Sequence, residues 1–157
     1  MKYSCILLLI FIPTCFFGQN QEKHLFQIYE NGKIGFIDST GKVVIEPKFL
    51  SAGEFSESLA SARIAGRYGF IDQTGKFIIQ PDFDYATKFN EGFAVVYMND
   101  KPFYINMNGQ KTFEIDFPFI DNFENGRALV VTKTKKLGYI DKKGKLLTTD
   151  NKYFLLS

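Results

Sequence analysis

The chain has 157 residues, 45% of them hydrophobic and 17% aromatic, with no Trp and a formal net charge of +2. That length allows one ordinary domain or a short array of repeats, and the aromatic content excludes a disordered polymer. Near neutrality excludes a broadly basic surface, and with it an electrostatic case for binding nucleic acid.

Residues 1–18, MKYSCILLLIFIPTCFFG, open with one basic residue, Lys2, followed by an apolar run from Ile6 to Ile12, a Pro and a short exit. This is the shape of a secretory signal peptide, too short and wrongly flanked for a membrane span. Cleavage is expected between Gly18 and Gln19. A lipoprotein cut before Cys15 is the alternative, although IPTC lacks the small residue that normally precedes such a cysteine. The first cut removes Cys5 and Cys15, so the mature chain carries no thiol, disulfide or thiolate ligand. It also leaves 18 basic against 17 acidic side chains. The expected location is extracytoplasmic (periplasm, outer-membrane-associated or secreted), with no transmembrane segment in the mature chain.

From residue 24 to 150 the chain repeats itself. The turn glycines Gly41, Gly75, Gly109 and Gly144 are spaced by 34, 34 and 35 residues. GFID at 35–38 returns as GFID at 69–72, FYIN at 103–106 and GYID at 138–141. The connectors KFLSAGEFSES (48–58), DFDYATKFNEG (82–92) and DFPFIDNFENG (116–126) match as well. Such self-similarity marks a tandem array. The runs between connectors are rich in Val, Ile, Phe and Tyr, and none keeps a helical apolar spacing for three turns. Asp-x-x-Gly and Asn-Gly steps read as hairpin turns.

Each unit therefore predicts an antiparallel meander of three strands: 25–30, 33–38 and 42–46; 59–65, 67–72 and 76–80; 93–98, 102–106 and 110–115; 128–134, 136–141 and 145–149. In the third unit Phe93, Val95 and Tyr97 fall on one face. One meander buries too little to offset its ordering entropy, so units are expected to stack, with the connector aromatics Phe83, Tyr85 and Phe89 between them. The fold class is all-β: four three-stranded meanders in an elongated or gently superhelical array. Propeller-like closure is the less expected alternative, since propeller blades usually have four strands. Residues 151–157 read as a cap or as a truncated connector.

Residues 66–99, GRYGFIDQTGKFIIQPDFDYATKFNEGFAVVYMN, resemble the WG-repeat family of bacterial β-repeat proteins, and the resemblance runs from about Gly32 to Asp150. The Trp of the family signature is replaced by Ile34, Tyr68, Pro102 and Leu137, and the Gly after it becomes Phe103 in the third unit. Apolar replacements imply that this position packs. The family resemblance implies an interaction module.

The residues offer little chemistry of their own. His24 is the only histidine and lies just after the leader, at the mouth of the first strand, so neither a nucleophile–His pair nor a zinc site is expected. Asp38, Asp72, Asn106 and Asp141 recur, but each opens a turn, where Asp and Asn serve the backbone better than a calcium ion. Glu57, Glu91 and Glu124 come from separate connectors without the paired placement of a glycosidase, and read as a solvated rim. Gly35, Gly69 and Gly138 lie inside strands and point to a bulge or to a covering aromatic. Lys42, Lys76 and Lys145 follow the turn glycines, with Gln110 in the third unit. Stacking would set them in a row able to meet an acidic partner, or simply to keep edges soluble.

The expected function is that of an exported non-catalytic interaction module binding a protein or glycan partner in the cell envelope, without cofactor or metal. Alternatives are a structural envelope component that self-associates through its end strands and, less expected, an envelope glycan hydrolase.

Overall fold

The structure, a computed structural model, describes residues 24–148. The expected leader with Cys5 and Cys15, and the expected cap over 151–157, lie outside the described residues. Short β-branched and aromatic runs cut every few residues by turn signals favour strands, and among the described residues every regular element is a strand.

The first sheet is β1 (Phe26–Glu30), β2 (Lys33–Ile37) and β3 (Val43–Phe49) in sequence order. The second is β4 (Ser51–Ala52), β5 (Ala60–Ile64), β6 (Arg67–Ile71) and β7 (Phe77–Phe83), again in order. The third contains β8 (Tyr85–Ala86), β9 (Phe93–Met98) and β10 (Lys101–Asn106). The fourth is β11 (Phe119–Glu124), β12 (Arg127–Val131), β13 (Leu137–Asp141) and β14 (Leu146–Thr148). All four sheets are antiparallel and open, with no closed barrel. The connectors are more than joints. Each supplies a strand (β4, β8 or β11) to the leading edge of the unit that follows.

The expected strand over 110–115 does not form. Two substitutions account for it. In the first two units the third strand pairs at Ile34↔Phe49 and Tyr68↔Phe83. The third unit has Pro102 at that position, which has no N–H to offer the ladder. Phe103 then stands where Gly35 and Gly69 let the bulged strand pass close by. Only the Ile105↔Lys111 bridge survives, held by Thr112 N–H to Tyr104 O at 3.1 Å and Asn106 N–H to Gln110 O at 2.9 Å.

The 35-residue spacing has a local cause. Asn31-Gly32, Ala65-Gly66 and Asn99-Asp100 make two-residue turns with positive φ at both positions. In the fourth unit a loop over 133–135 takes that place, closed by Lys135 N–H to Thr132 O at 2.9 Å. The extra residue stays in the loop, and β12 pairs with β13 without a shift.

The sheets stack as layers, with a hydrophobic cluster at each joint. Phe36, Phe49, Ala60, Ala62 and Ile71 join the first sheet to the second. Phe70, Phe89, Ala94, Val96 and Ile105 join the second to the third. Val95, Tyr104, Phe123, Val130 and Ile140 join the third to the fourth. Each sheet thus has a rear face toward the preceding unit and a forward face toward the next. Phe93, Val95 and Tyr97 share the forward face of β9. One connector phenylalanine seals each joint: Phe55 lies 5.0 Å from Phe36, Phe89 4.7 Å from Phe70, and Phe123 4.9 Å from Tyr104, ring centre to ring centre.

Candidate functional site

The recurring polar residues hold the scaffold. At the β2–β3 turn, Asp38 Oδ1 accepts from Thr40 N–H at 2.9 Å, the Thr40 hydroxyl at 2.6 Å and Lys42 N–H at 3.1 Å. Asp72 repeats this with Thr74 and Lys76, Asn106 with Asn108 and Gln110, and Asp141 with Lys143 and Lys145. The Thr40 hydroxyl, then its N–H, holds the Asp38 carboxyl below its ordinary pKa. At Asp72 burial pushes the other way, but the Thr74 and Lys76 donors prevail. At Asp141 the Lys145 N–H leads the lowering. Stability from these groups, and from the likewise lowered Glu91, is full above the ordinary carboxylate values of 3.8 for Asp and 4.5 for Glu. It fades as pH falls below those values and is lost once the depressed folded pKa is passed. The melting temperature is therefore expected to decline on acidification through this window. Asp72→Asn, which keeps the acceptor as Asn106 does, should flatten the decline; an unchanged acid limb contradicts the assignment.

Glu57 and Glu91 do more than form a solvated rim: Glu57 is exposed and Glu91 partly covered, yet both carboxylates bond to the next unit. Glu57 Oε2 accepts from Gly92 N–H at 2.9 Å, and Glu91 Oε2 from Gly126 N–H at 2.9 Å. Each carboxylate reaches the equivalent turn of the next unit. The neighbouring Ser56 hydroxyl donates to Phe89 O, and the Asn90 amide to Phe123 O, both at 2.7 Å. Glu91 also pairs with Lys142 at 2.9 Å, and this ammonium, ahead of the Gly126 N–H, lowers its pKa. Glu124 sits one place earlier than Glu57 and Glu91, with Asn125 at the equivalent position, and is exposed. The acids that invited a glycosidase reading are spread along the stack, and two of them tie units together.

The strand glycines Gly35 and Gly69 answer to backbone. A Cβ on Gly69 would lie 2.5 Å from Ile79 O and 2.8 Å from Pro81 N, and one on Gly35 would lie 2.6 Å from Pro47 N. Here β7 bulges: Tyr68↔Phe83 and Phe70↔Ile79 leave one glycine opposite three residues. The turn glycines Gly75 and Gly109 have a second task, since Ile45 and Ile79 of the preceding unit press against them. Phe113 presses on Gly144 in the same way, so the third unit keeps this contact without its strand.

Lys42, Lys76 and Lys145 are exposed, each beside the turn acid that its own N–H serves, so the row alternates in sign. His24 is exposed and meets Phe26 edge-on at 5.2 Å. Among the described residues no group of three His, Cys, Asp or Glu converges in a way that could hold a metal ion.

The most site-like surface lies where the second and third units meet. Tyr85 was expected between units, yet it is 51% exposed. The chain bends at Asp84 between β7 and β8, which breaks the parity that buries Phe83. Tyr85 faces Tyr97 across the β8–β9 pair, their ring centres 5.9 Å apart, and Tyr68 stands 5.8 Å beyond. The Arg63 guanidinium lies 5.6 Å over the Tyr68 ring. Tyr85, Tyr97, Asp84 and Asp100 line an open cleft of about 230 Å³. Asp84 is held by Arg67 and, at 2.7 Å, by the Asn99 N–H, whereas Asp100 on the turn is exposed. Burial, then Tyr85 and Asp121, raises the Tyr97 pKa, which keeps its phenol a neutral donor. This ledge can stack against a flat apolar face while its carboxylates accept from hydroxyls or N–H groups. The sequence signal for it was the Tyr at both members of one cross-strand pair.

No curated protein matches the chain. A family model described as WG containing repeat matches residues 34–68, 68–101 and 103–135 in tandem. Those matches cover more than half of the sequence, and each begins in one layer and ends in the next, from the first layer to the fourth, so the chain belongs to the WG-repeat family.

Proposed function

We propose that the chain is an exported, non-catalytic interaction module that binds a glycan or protein partner of the cell envelope through the tyrosine ledge. The observation that carries this reading is the exposed Tyr85–Tyr97 pair beside Asp84 and Asp100, set in an array whose other recurring polar groups serve turns and joints. Exposed aromatics with adaptable hydrogen-bonding neighbours provide stacking area at low entropic cost. Export rests on the leader-like first 18 residues. The ledge, rather than the lysine row, is taken as the contact face because the row is balanced by its own turn acids.

The test is binding of soluble envelope polysaccharides and envelope proteins to immobilised protein, wild type against Tyr85→Ala. Saturable capture reduced at least about tenfold by the substitution, the scale of one anchoring aromatic, is expected. Reversing Lys42, Lys76 and Lys145 together should leave it unchanged. Capture that ignores Tyr85 but collapses on lysine reversal would move the contact to the turn row.

A further inference from the structure

The ends of the stack are unlike its middle. On the forward face, Phe36, Phe70 and Tyr104 hold equivalent positions and are fully buried by the following unit. Tyr139 is their counterpart in the fourth unit and is 46% exposed. Leu137 and Phe119 on the same sheet face are exposed with it, beside the half-buried Leu129 and Val131. On the rear face, Ile71, Ile105 and Ile140 are buried by the preceding unit, as are Ala60, Ala94 and Ala128. Their first-unit counterparts are Ile37, half-buried, and Phe26, 47% exposed. The molecule thus presents one forward face and one rear face, each of the kind that it joins three times internally.

Charge separates along the same axis. Residues 127–148 carry seven basic side chains and one acidic, whereas residues 24–126 carry nine basic and fourteen acidic. The basic excess belongs to the fourth unit; the first unit, residues 24–49, carries three basic and three acidic side chains, and the acidic excess lies in residues 50–126, with six basic and eleven acidic. Association in register with the internal joint sets the lysine-rich unit against a balanced one, while contact between two forward faces sets lysine against lysine.

We propose that a second copy of this chain docks its first unit on the fourth unit of another, extending the stack head to tail. The joint is face to face, with Phe26, Ile28 and Ile37 of one copy against Leu137 and Tyr139 of the next. Edges need not pair. Such a contact is heterologous and leaves a free face at each end, so assemblies grow until they close or are capped.

The test uses residues 19–157, which contain every described strand, and reads molar mass by light scattering across concentration and salt. Wild type should exceed monomer mass as concentration rises, and should do so at high salt as well, because the joint is apolar. Tyr139→Glu blocks the forward face and Phe26→Glu the rear face. Each alone should be monomeric, and their mixture should form a species of twice the monomer mass and stop there. Leu137→Glu should reproduce Tyr139→Glu, and unchanged far-ultraviolet circular dichroism shows that the variants remain folded. Wild type that is monomeric at every concentration, whether an anionic surface or the chain's own tail covers the face, overturns the proposal. So does a mixture that stays monomeric, or a single variant that assembles like wild type. Loss of ledge binding in Tyr85→Ala is a separate result, because Tyr85 lies on neither end face.

Discussion

Gly69→Ala is expected to destabilise the protein by about 3 kcal/mol, at the upper end of what overpacking usually costs, because the new methyl group meets backbone that cannot move aside. Its Cβ would lie 2.5 Å from Ile79 O and 2.8 Å from Pro81 N. Relief requires the bulge over 80–82 to shift, and that bulge positions Phe83 at the joint with the third unit. Gly66→Ala is the matched control. Gly66 has positive φ but nothing within 4 Å of a built Cβ, so its cost is only the left-handed backbone penalty of about 1–2 kcal/mol. Urea midpoints of the two variants separate steric from conformational cost. Equal losses would mean that the strand glycine answers to φ, not to the crossing strand.

Phe123→Ala should cost about 3–5 kcal/mol, the range for truncating a buried phenylalanine. Phe123 is fully buried, with ring centres 4.9 Å from both Phe93 and Tyr104. The loss should be local. Hydrogen exchange is expected to show the amides of β12 to β14 opening first while those of β5 to β7 keep most of their protection. Tyr104→Phe at the same joint removes only the hydroxyl that donates to Asp121 O at 2.5 Å, and should cost about 1 kcal/mol. Uniform loss of protection along the chain would show one cooperative body in place of coupled layers.

The repeat was legible because turn chemistry is local. Asp38, Asp72 and Asp141 bond within four residues, so the motif alone specifies those hairpins. The third unit misled because ID-x-x-GK and its relatives announce a turn, whereas the strand after it depends on Pro102 and Phe103 seven or more residues earlier. Glu57 and Glu91 were opaque for a related reason. Their partners lie 35 residues away, and nothing in one unit shows which turn it will face. Tyr85 was misplaced because periodicity describes a continuous strand, and the bend at Asp84 interrupts it. The charge separation was visible throughout as composition, yet a whole-chain total averaged it away.

The staples from Glu57 to Gly92 and from Glu91 to Gly126, with the aromatic seals beside them, join only adjacent units. Tension applied along the stack is therefore carried by joints in series, since among the described residues no staple or aromatic seal clamps the first unit to the last. Under load such a molecule yields from an end by successive short extensions, each about one repeat long. The stack is in that sense a graded spring that loses length before it loses its middle layers.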